Sequence, residues 1–141
     1  MYVDVGEPLT DWQVAQLALL VNRLDLAPGP GGSRITSAWA LEPELSQVLG
    51  KQRIPRWTTW KATQAVVLYP SSQLVAHVDP PISGRRFHIP LVVNDGCWAF
   101  SDGHWQQLVV GQVYQMDPTV VHGAVNWGTE RRLHLMVDTE D

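Results

Sequence analysis

The hydrophobic pattern splits the chain into two regions of different period. In the first, Trp12, Leu17, Leu20, Val21 and Leu24 recur at helical intervals, and Thr10 and Gln13 have capping-box spacing. This predicts an amphipathic helix that starts just after Thr10. The Pro/Gly-rich stretch 27–33 cannot continue it. A second, short helix is expected over Pro43–Leu49, stopping at Gly50.

From Trp57 onward the period becomes that of strands. Runs rich in Val, Leu, Thr and aromatics cover Trp57–Tyr69, Leu74–Val78, Arg86–Val93, Cys97–Phe100, Trp105–Val110, Gln112–Met116 and Arg132–Asp138. Turn residues separate them, and two Asp-Gly pairs, Asp95-Gly96 and Asp102-Gly103, suit tight hairpins. Seven or eight strands at such short spacing imply a sandwich or barrel, backed by the helices that precede it. We find no internal repeat. The expectation is one mostly-β domain over residues 1–141, with 1–56 as helical support and 57–138 as the β core.

Composition narrows the class. Hydrophobic residues make up 45% and charged residues 17%, which is globular rather than disordered. A net charge of −4 argues against a nucleic-acid or anionic-membrane partner, since phosphate neutralisation needs a basic surface. The first residues lack the basic cluster and apolar run of a secretory signal, and no apolar stretch approaches membrane-spanning length. The single Cys97 excludes an internal disulfide and suits a reducing, cytoplasmic setting; it reads as a small buried apolar residue. Seven tryptophans are many for this length, and most are expected in the core or a pocket wall, with one or two facing substrate.

The chemistry starts from His77-x-Asp79. Residues i and i+2 of a strand face the same way, so the imidazole and carboxylate stand side by side at a strand end. A distant His joining such a pair makes the facial triad of non-haem iron oxygenases. His122, after Met-Asp-Pro-Thr-Val-Val, is the best third ligand. Three ligands on one face of an octahedron leave three open positions, whereas a structural site closes its coordination sphere.

Alone, His-x-Asp occurs often by chance. Support comes from two further runs. In Arg86–Leu91, Arg86 and His88 share one face, with Phe87, Ile89 and Leu91 on the other. In Arg132–Asp138, Arg132, His134 and Met136 oppose Leu133, Leu135 and Val137. Either the polar faces meet water, or they line a barrel whose apolar faces pack on the helices. In the second case buried guanidiniums need an anion, and a dicarboxylate such as 2-oxoglutarate fits.

Taken together, His77-x-Asp79, Arg86-x-His88-Ile-Pro-Leu, Asp117-x4-His122-x3-Asn126 and Arg132-x-His-Leu with Asp138 resemble the aspartyl/asparaginyl β-hydroxylase family, which includes free-proline hydroxylases. The resemblance spans about 57 to 138. It implies a double-stranded β-helix (cupin-like, jelly-roll) barrel and a hydroxylase that uses Fe(II), O2 and 2-oxoglutarate, yielding succinate and CO2. His77, Asp79 and His122 match the family's metal positions. Arg132 matches the arginine for the distal carboxylate of 2-oxoglutarate, and Arg86 and His88 match basic residues of the cosubstrate pocket. Some members have Gly at the metal-binding Asp; here Asp79 is present, as in the amino-acid-hydroxylating branch. One position departs from the pattern: a Ser that helps hold the cosubstrate in some members corresponds to Val66.

The implied substrate is an amino-acid side chain, in a peptide or protein or as a free amino acid. Residues 27–40 and 80–85 are the segments expected to meet it, with Arg34, Arg56 and Arg85 as possible carboxylate partners. Arg131, like Arg85, should point away from the pocket. His104 is expected at a solvated hairpin tip, and Asn126 and Asp117 in turns. His134 reads as a satisfied core histidine or a support for a carboxylate. Two other classes share these residues: a cupin-like metal- and carboxylate-binding protein without turnover, and a metal-dependent cupin enzyme such as an isomerase. An intact trio and Arg132 argue against both.

Overall fold

The computed structural model of the chain describes residues 1–50 and 60–140. Helix α1, Asp11–Val21, begins where the pattern placed it. Thr10 Oγ1 accepts the Gln13 backbone N–H at 3.1 Å, and Gln13 Oε1 accepts the Thr10 N–H at 2.9 Å, so the capping box is complete. Helix α2, Glu42–Leu49, likewise ends at Gly50, whose φ is +67°.

Ten strands follow the chain as β1 (Val3–Asp4), β2 (Ser33–Ser37), β3 (Trp60–Leu68), β4 (Ser72–His77), β5 (Arg86–Val92), β6 (Cys97–Ser101), β7 (His104–Gln106), β8 (Tyr114–Met116), β9 (His122–Asn126) and β10 (Arg132–Thr139). They form two antiparallel sheets, β1-β8-β5-β10-β3-β2 and β4-β9-β6-β7. From β3 to β10 successive strands alternate between the sheets, except at the β6–β7 hairpin. This is the double-stranded β-helix, a jelly roll of eight strands.

The central strands of the six-stranded sheet, β5, β10 and the second half of β3, are largely buried on both faces. Leu133, Leu135 and Val137 of β10, with Phe87, Ile89 and Leu91 of β5 and Ala65 and Val67 of β3, point outward and pack under Leu17, Leu20 and Val21 of α1 and Leu45 and Leu49 of α2. The alternate residues point inward toward the small sheet. Of the two readings of the Arg/His faces, the buried one holds: Arg132, His134 and His88 are all buried.

Several expectations need correction. A strand was expected to begin at His122, and β9 does; strands β1 and β2 were not foreseen. Both come from the first 50 residues, so this region adds edge strands as well as helices. The strands expected over Trp105–Val110 and Gln112–Met116 are shorter. Between them the chain turns at Gly111, where φ is +81°, the Gln112 N–H reaches Val109 O, and the Gly111 N–H reaches Pro90 O. Asp102-Gly103, with φ of +50° and +82°, is the expected tight hairpin turn. Asp95-Gly96 is not: it carries the chain from β5 in one sheet to β6 in the other, with Cys97 N–H bonded to Asn94 O.

The tryptophans are also misplaced by the sequence reading. Of the six described, Trp12, Trp39, Trp98, Trp105 and Trp127 are exposed and Trp60 is half-buried; Trp57 lies outside the described residues. Trp98 alternates with the buried Cys97 and Ala99, so it faces out from the small sheet, which no helix among the described residues covers. Trp105 packs there against Phe100.

Leu135 is fully buried at the centre of the main sheet, between β3 and β5. Leu135→Ala is expected to lower unfolding stability by about 2–5 kcal/mol. A urea titration with an unchanged m-value checks this.

Candidate metal and anion site

His77 ends β4 and His122 begins β9, and the two are ladder partners. The ladder slips between Leu74 and His77. Gly123 permits that slip: a Cβ there would lie 2.7 Å from Leu74 O and 3.2 Å from two backbone atoms of Ala76. Asp79 stands just beyond β4, fixed by its N–H to Pro118 O at 2.9 Å.

The donor atoms of His77, Asp79 and His122 all lie within 4.8 Å of one another. His77 Nε2 is 3.5 Å from Asp79 Oδ1, and His122 Nε2 is 3.1 Å from Asp79 Oδ2. Ligands at right angles on one octahedral ion, about 2.1 Å from it, stand about 3 Å apart. The protonation pattern fits as well. His77 Nδ1 lies 2.7 Å from Val75 O and His122 Nδ1 2.8 Å from Val120 O. A carbonyl only accepts, so each Nδ1 donates to it and each Nε2 is the ring atom turned toward the carboxylate. Two imidazole nitrogens and a carboxylate thus converge on one point, and the residues fit ferrous iron in donor type and geometry.

Arg86 locks the carboxylate in place. Its Nε and Nη2 donate to Asp138 Oδ1 and Oδ2 at 2.8 and 2.9 Å, and its Nη1 donates to Asp79 Oδ2 at 3.0 Å. Asp138 holds the guanidinium's pKa above its already high ordinary value, against the opposing effect of burial. Arg86 therefore bridges two carboxylates, and one N–H on each terminal nitrogen remains for a ligand.

Deeper in lies a second group. Arg132 Nη2 donates to His134 Nδ1 at 3.1 Å, and His88 Nδ1 approaches the same atom at 3.3 Å. Burial, and after it the neighbouring Arg132 charge, push both imidazole pKa values down, His88 to about 3. Burial also lowers the pKa of Arg132. Arg132 Nε has no partner among the described residues.

Both groups open into one cavity of about 410 Å³, lined also by Tyr2, Val66, Leu74, Pro81 and Met136. All six residues singled out in the sequence, His77, Asp79, His122, Arg86, His88 and Arg132, line it. None of the described tryptophans does. Tyr2 was missed, because a lone Tyr ahead of the helical region carries no pattern. His134 supports Arg132 from the side. Arg131 points away and donates to Asn22 Oδ1 at 2.6 Å. Arg85 lies on a neighbouring cavity of about 540 Å³ that shares Pro81, Ile82 and Arg86 with the first. Arg34 is paired with Asp25 at 3.0 Å, and Arg56 is outside the described residues. His104 is exposed at its hairpin. Asp117 accepts from Thr119 N–H and Oγ1–H in a turn, bonds that lower its pKa. Asn126 is fully buried at the end of β9, where its Nδ2 donates to Leu68 O and Glu130 O.

Comparison with known proteins decides the family. The sequence profile described as aspartyl/asparaginyl beta-hydroxylase matches residues 9–141. The chain belongs to that family. It is therefore an oxygenase of the hydroxylase type. Solved structures share its fold. A 2OG-Fe(II) oxygenase-family oxidoreductase from Burkholderia pseudomallei superposes with a TM-score of 0.70 at 16% identity, over 93% of this chain and 80% of that one. The α-ketoglutarate-dependent non-haem epimerase SnoN of nogalamycin biosynthesis gives 0.71 at 16% identity, over 97% and 76%. The viral collagen prolyl hydroxylase of Paramecium Bursaria Chlorella virus-1 gives 0.67 at 11% identity, over 97% and 94%. No curated protein sequence matches the chain. No helix among the described residues is long and apolar enough to cross a membrane.

Two outcomes test this hydroxylase-family site. Arg86→Gln should weaken binding of a divalent transition metal by about 10- to 100-fold, as loss of groups that orient ligands does. His122→Ala should weaken it more, and Arg85→Gln should leave it unchanged; calorimetric metal titration reads all three. The second concerns pH. His88 and His134 stay neutral in the folded protein but titrate near 6.5 when unfolded. As pH falls below 6.5, the unfolded chain takes up protons that the folded protein refuses. Stability is thus complete above that pH and declines toward pH 3, by up to about 1.4 kcal/mol per pH unit for each histidine. Urea midpoints between pH 7 and 4 check the slope, and His88→Gln should remove about half of it.

Proposed function

We propose that the chain is an Fe(II)- and 2-oxoglutarate-dependent hydroxylase of an amino-acid side chain, in a peptide or protein or as a free amino acid, with succinate and CO2 as co-products. The observation that carries this reading is Arg132. Arg132 is 4% exposed, its Nε is unpartnered, and no carboxylate pairs with it among the described residues. A buried cation left this way costs several kcal/mol, and an entering carboxylate would remove the penalty. The same cavity holds His77, Asp79 and His122. A molecule with a carboxylate at one end and a keto acid at the other suits both ends.

Iron held by the trio would supply the redox chemistry, coupling O2 to decarboxylation of the keto acid and oxidation of a C–H bond. The chain's own residues do the rest. Asp79, oriented by Arg86, and the two imidazoles, oriented by backbone carbonyls, grip the metal from one side. Arg132 sets the depth of the cosubstrate, with His134 as its fixed acceptor. Val66, Leu74, Ile82 and Met136 keep the cavity wall apolar and exclude water. The His77 side chain is 44% exposed, so the metal end opens to solvent. A substrate side chain can enter there while the backbone that bears it stays outside. That geometry serves a residue of a peptide or protein and also a free amino acid.

The test is succinate formation from 2-oxoglutarate by anaerobically iron-loaded protein after admission of O2, followed by mass spectrometry for a +16 Da product among amino acids and peptides. Succinate is expected from wild type and not from His122→Ala. Binding of metal and keto acid without succinate would establish the non-catalytic alternative. Arg132→Leu should weaken 2-oxoglutarate binding by about a hundredfold or more, while leaving thermal stability equal to or above wild type, because it removes an unpaired buried charge.

A further inference from the structure

The first strand brings an unassigned group into the cavity. β1 pairs with β8 through Val3 and Gln115 and through Asp4 and Tyr114, which places Tyr2 at the edge of the main sheet. Gln106 of the small sheet holds it from the other side: Tyr2 N–H donates to Gln106 Oε1 at 2.8 Å, and Gln106 Nε2 donates to Tyr2 O at 3.0 Å. Tyr2 thus bridges the two sheets and is pinned to both. Its ring is 6% exposed and stands edge-on to His88 at 5.5 Å and to Tyr114 at 6.5 Å. It lines the same cavity as Arg132, His88 and His122.

The hydroxyl of this ring is unspent: both hydrogen bonds of Tyr2 are made by its backbone, and its Oη has no partner among the described residues. Burial raises the phenol's pKa, and the Arg132 and Arg86 charges act against that rise, Arg132 more strongly. The phenol therefore stays protonated at neutral pH and lies within electrostatic reach of Arg132. A protonated hydroxyl on the same cavity as a buried guanidinium offers a neutral donor and a charged one to a single ligand, a pair suited to a carboxylate. On the β3 wall, Val66 offers no donor at all.

We propose that Tyr2 is a second anchor for the distal carboxylate of 2-oxoglutarate, its Oη–H donating to the carboxylate that Arg132 pairs with. The assignment rests on the proposed use of 2-oxoglutarate. It makes the residue just ahead of β1 part of the cosubstrate site, and the site's preference for a dicarboxylic keto acid over a shorter one a joint property of Tyr2 and Arg132.

The test is calorimetric titration of anaerobic Mn(II)-loaded protein with 2-oxoglutarate and, separately, with pyruvate, a keto acid without the distal carboxylate. Tyr2→Phe keeps the ring and its packing. It is expected to weaken 2-oxoglutarate binding by about 10- to 100-fold, the value of one hydrogen bond to a charged group. Affinities for Mn(II) and pyruvate should stay within about twofold of wild type, and the melting temperature without ligand should not change. Unchanged 2-oxoglutarate affinity in Tyr2→Phe overturns the assignment, as does an equal loss for both keto acids, which would make Tyr2 a packing residue. Wild-type protein that binds Mn(II) but not 2-oxoglutarate would overturn the cosubstrate reading itself, and is distinguished from the first failure because no variant is needed to see it.

Discussion

The main sheet is largely buried on both faces at its central strands, and the rest of the molecule follows from that. Its outer face is sealed by two helices through Leu, Ile, Val and Phe side chains. Its inner face has nowhere wet to turn, yet β5 and β10 place Arg86, His88, Arg132, His134 and Asp138 there. Polar groups in such a place must satisfy one another or wait for something that will. Arg86 and Asp138 satisfy each other. His88 and His134 stay neutral and share a contact. Arg132 is only partly satisfied. On the proposed reading the interior therefore carries two demands, for a divalent cation at the converging His77, Asp79 and His122 near the mouth and for an anion farther in.

Those demands are complementary in a useful order. A cation at the trio adds positive charge to a cavity that already holds Arg132 and Arg86, so binding the metal alone raises the attraction for an anion. A dicarboxylate then answers both the metal and the guanidinium. Burial, and after it the positive charge of Arg132, keeps the two interior histidines uncharged.

Much of this was legible in the sequence, because it is written in periods of two. The alternation along Arg86–Leu91 and Arg132–Asp138 assigned the faces correctly, and His77-x-Asp79 reported a shared strand end directly. The capping box fixed the start of α1 through the same atoms seen in the structure. What the sequence hid was non-local. β1 and β2 are edge strands of two and five residues whose existence depends on partners far along the chain. The Asp95-Gly96 turn looks like a hairpin, and only the two-sheet topology sends its strands apart. The tryptophans were expected inside on size and hydrophobicity, but among the described residues no layer covers the small sheet's outer face, so Trp98 and Trp105 remain outside. Tyr2 was invisible for the same reason as β1.

The link from Asp138 through Arg86 to Asp79 has a wider consequence. Asp79 belongs to the loop after β4, whereas Asp138 lies near the far end of β10, 59 positions later in the chain. Two carboxylates so distant in sequence are tied by one guanidinium, so Asp79 gains its orienting partner only once the final strand has zipped into the sheet. A chain whose last strand has frayed would present two imidazoles and a loose carboxylate. If iron is held there as proposed, its loading would be coupled to completion of the fold.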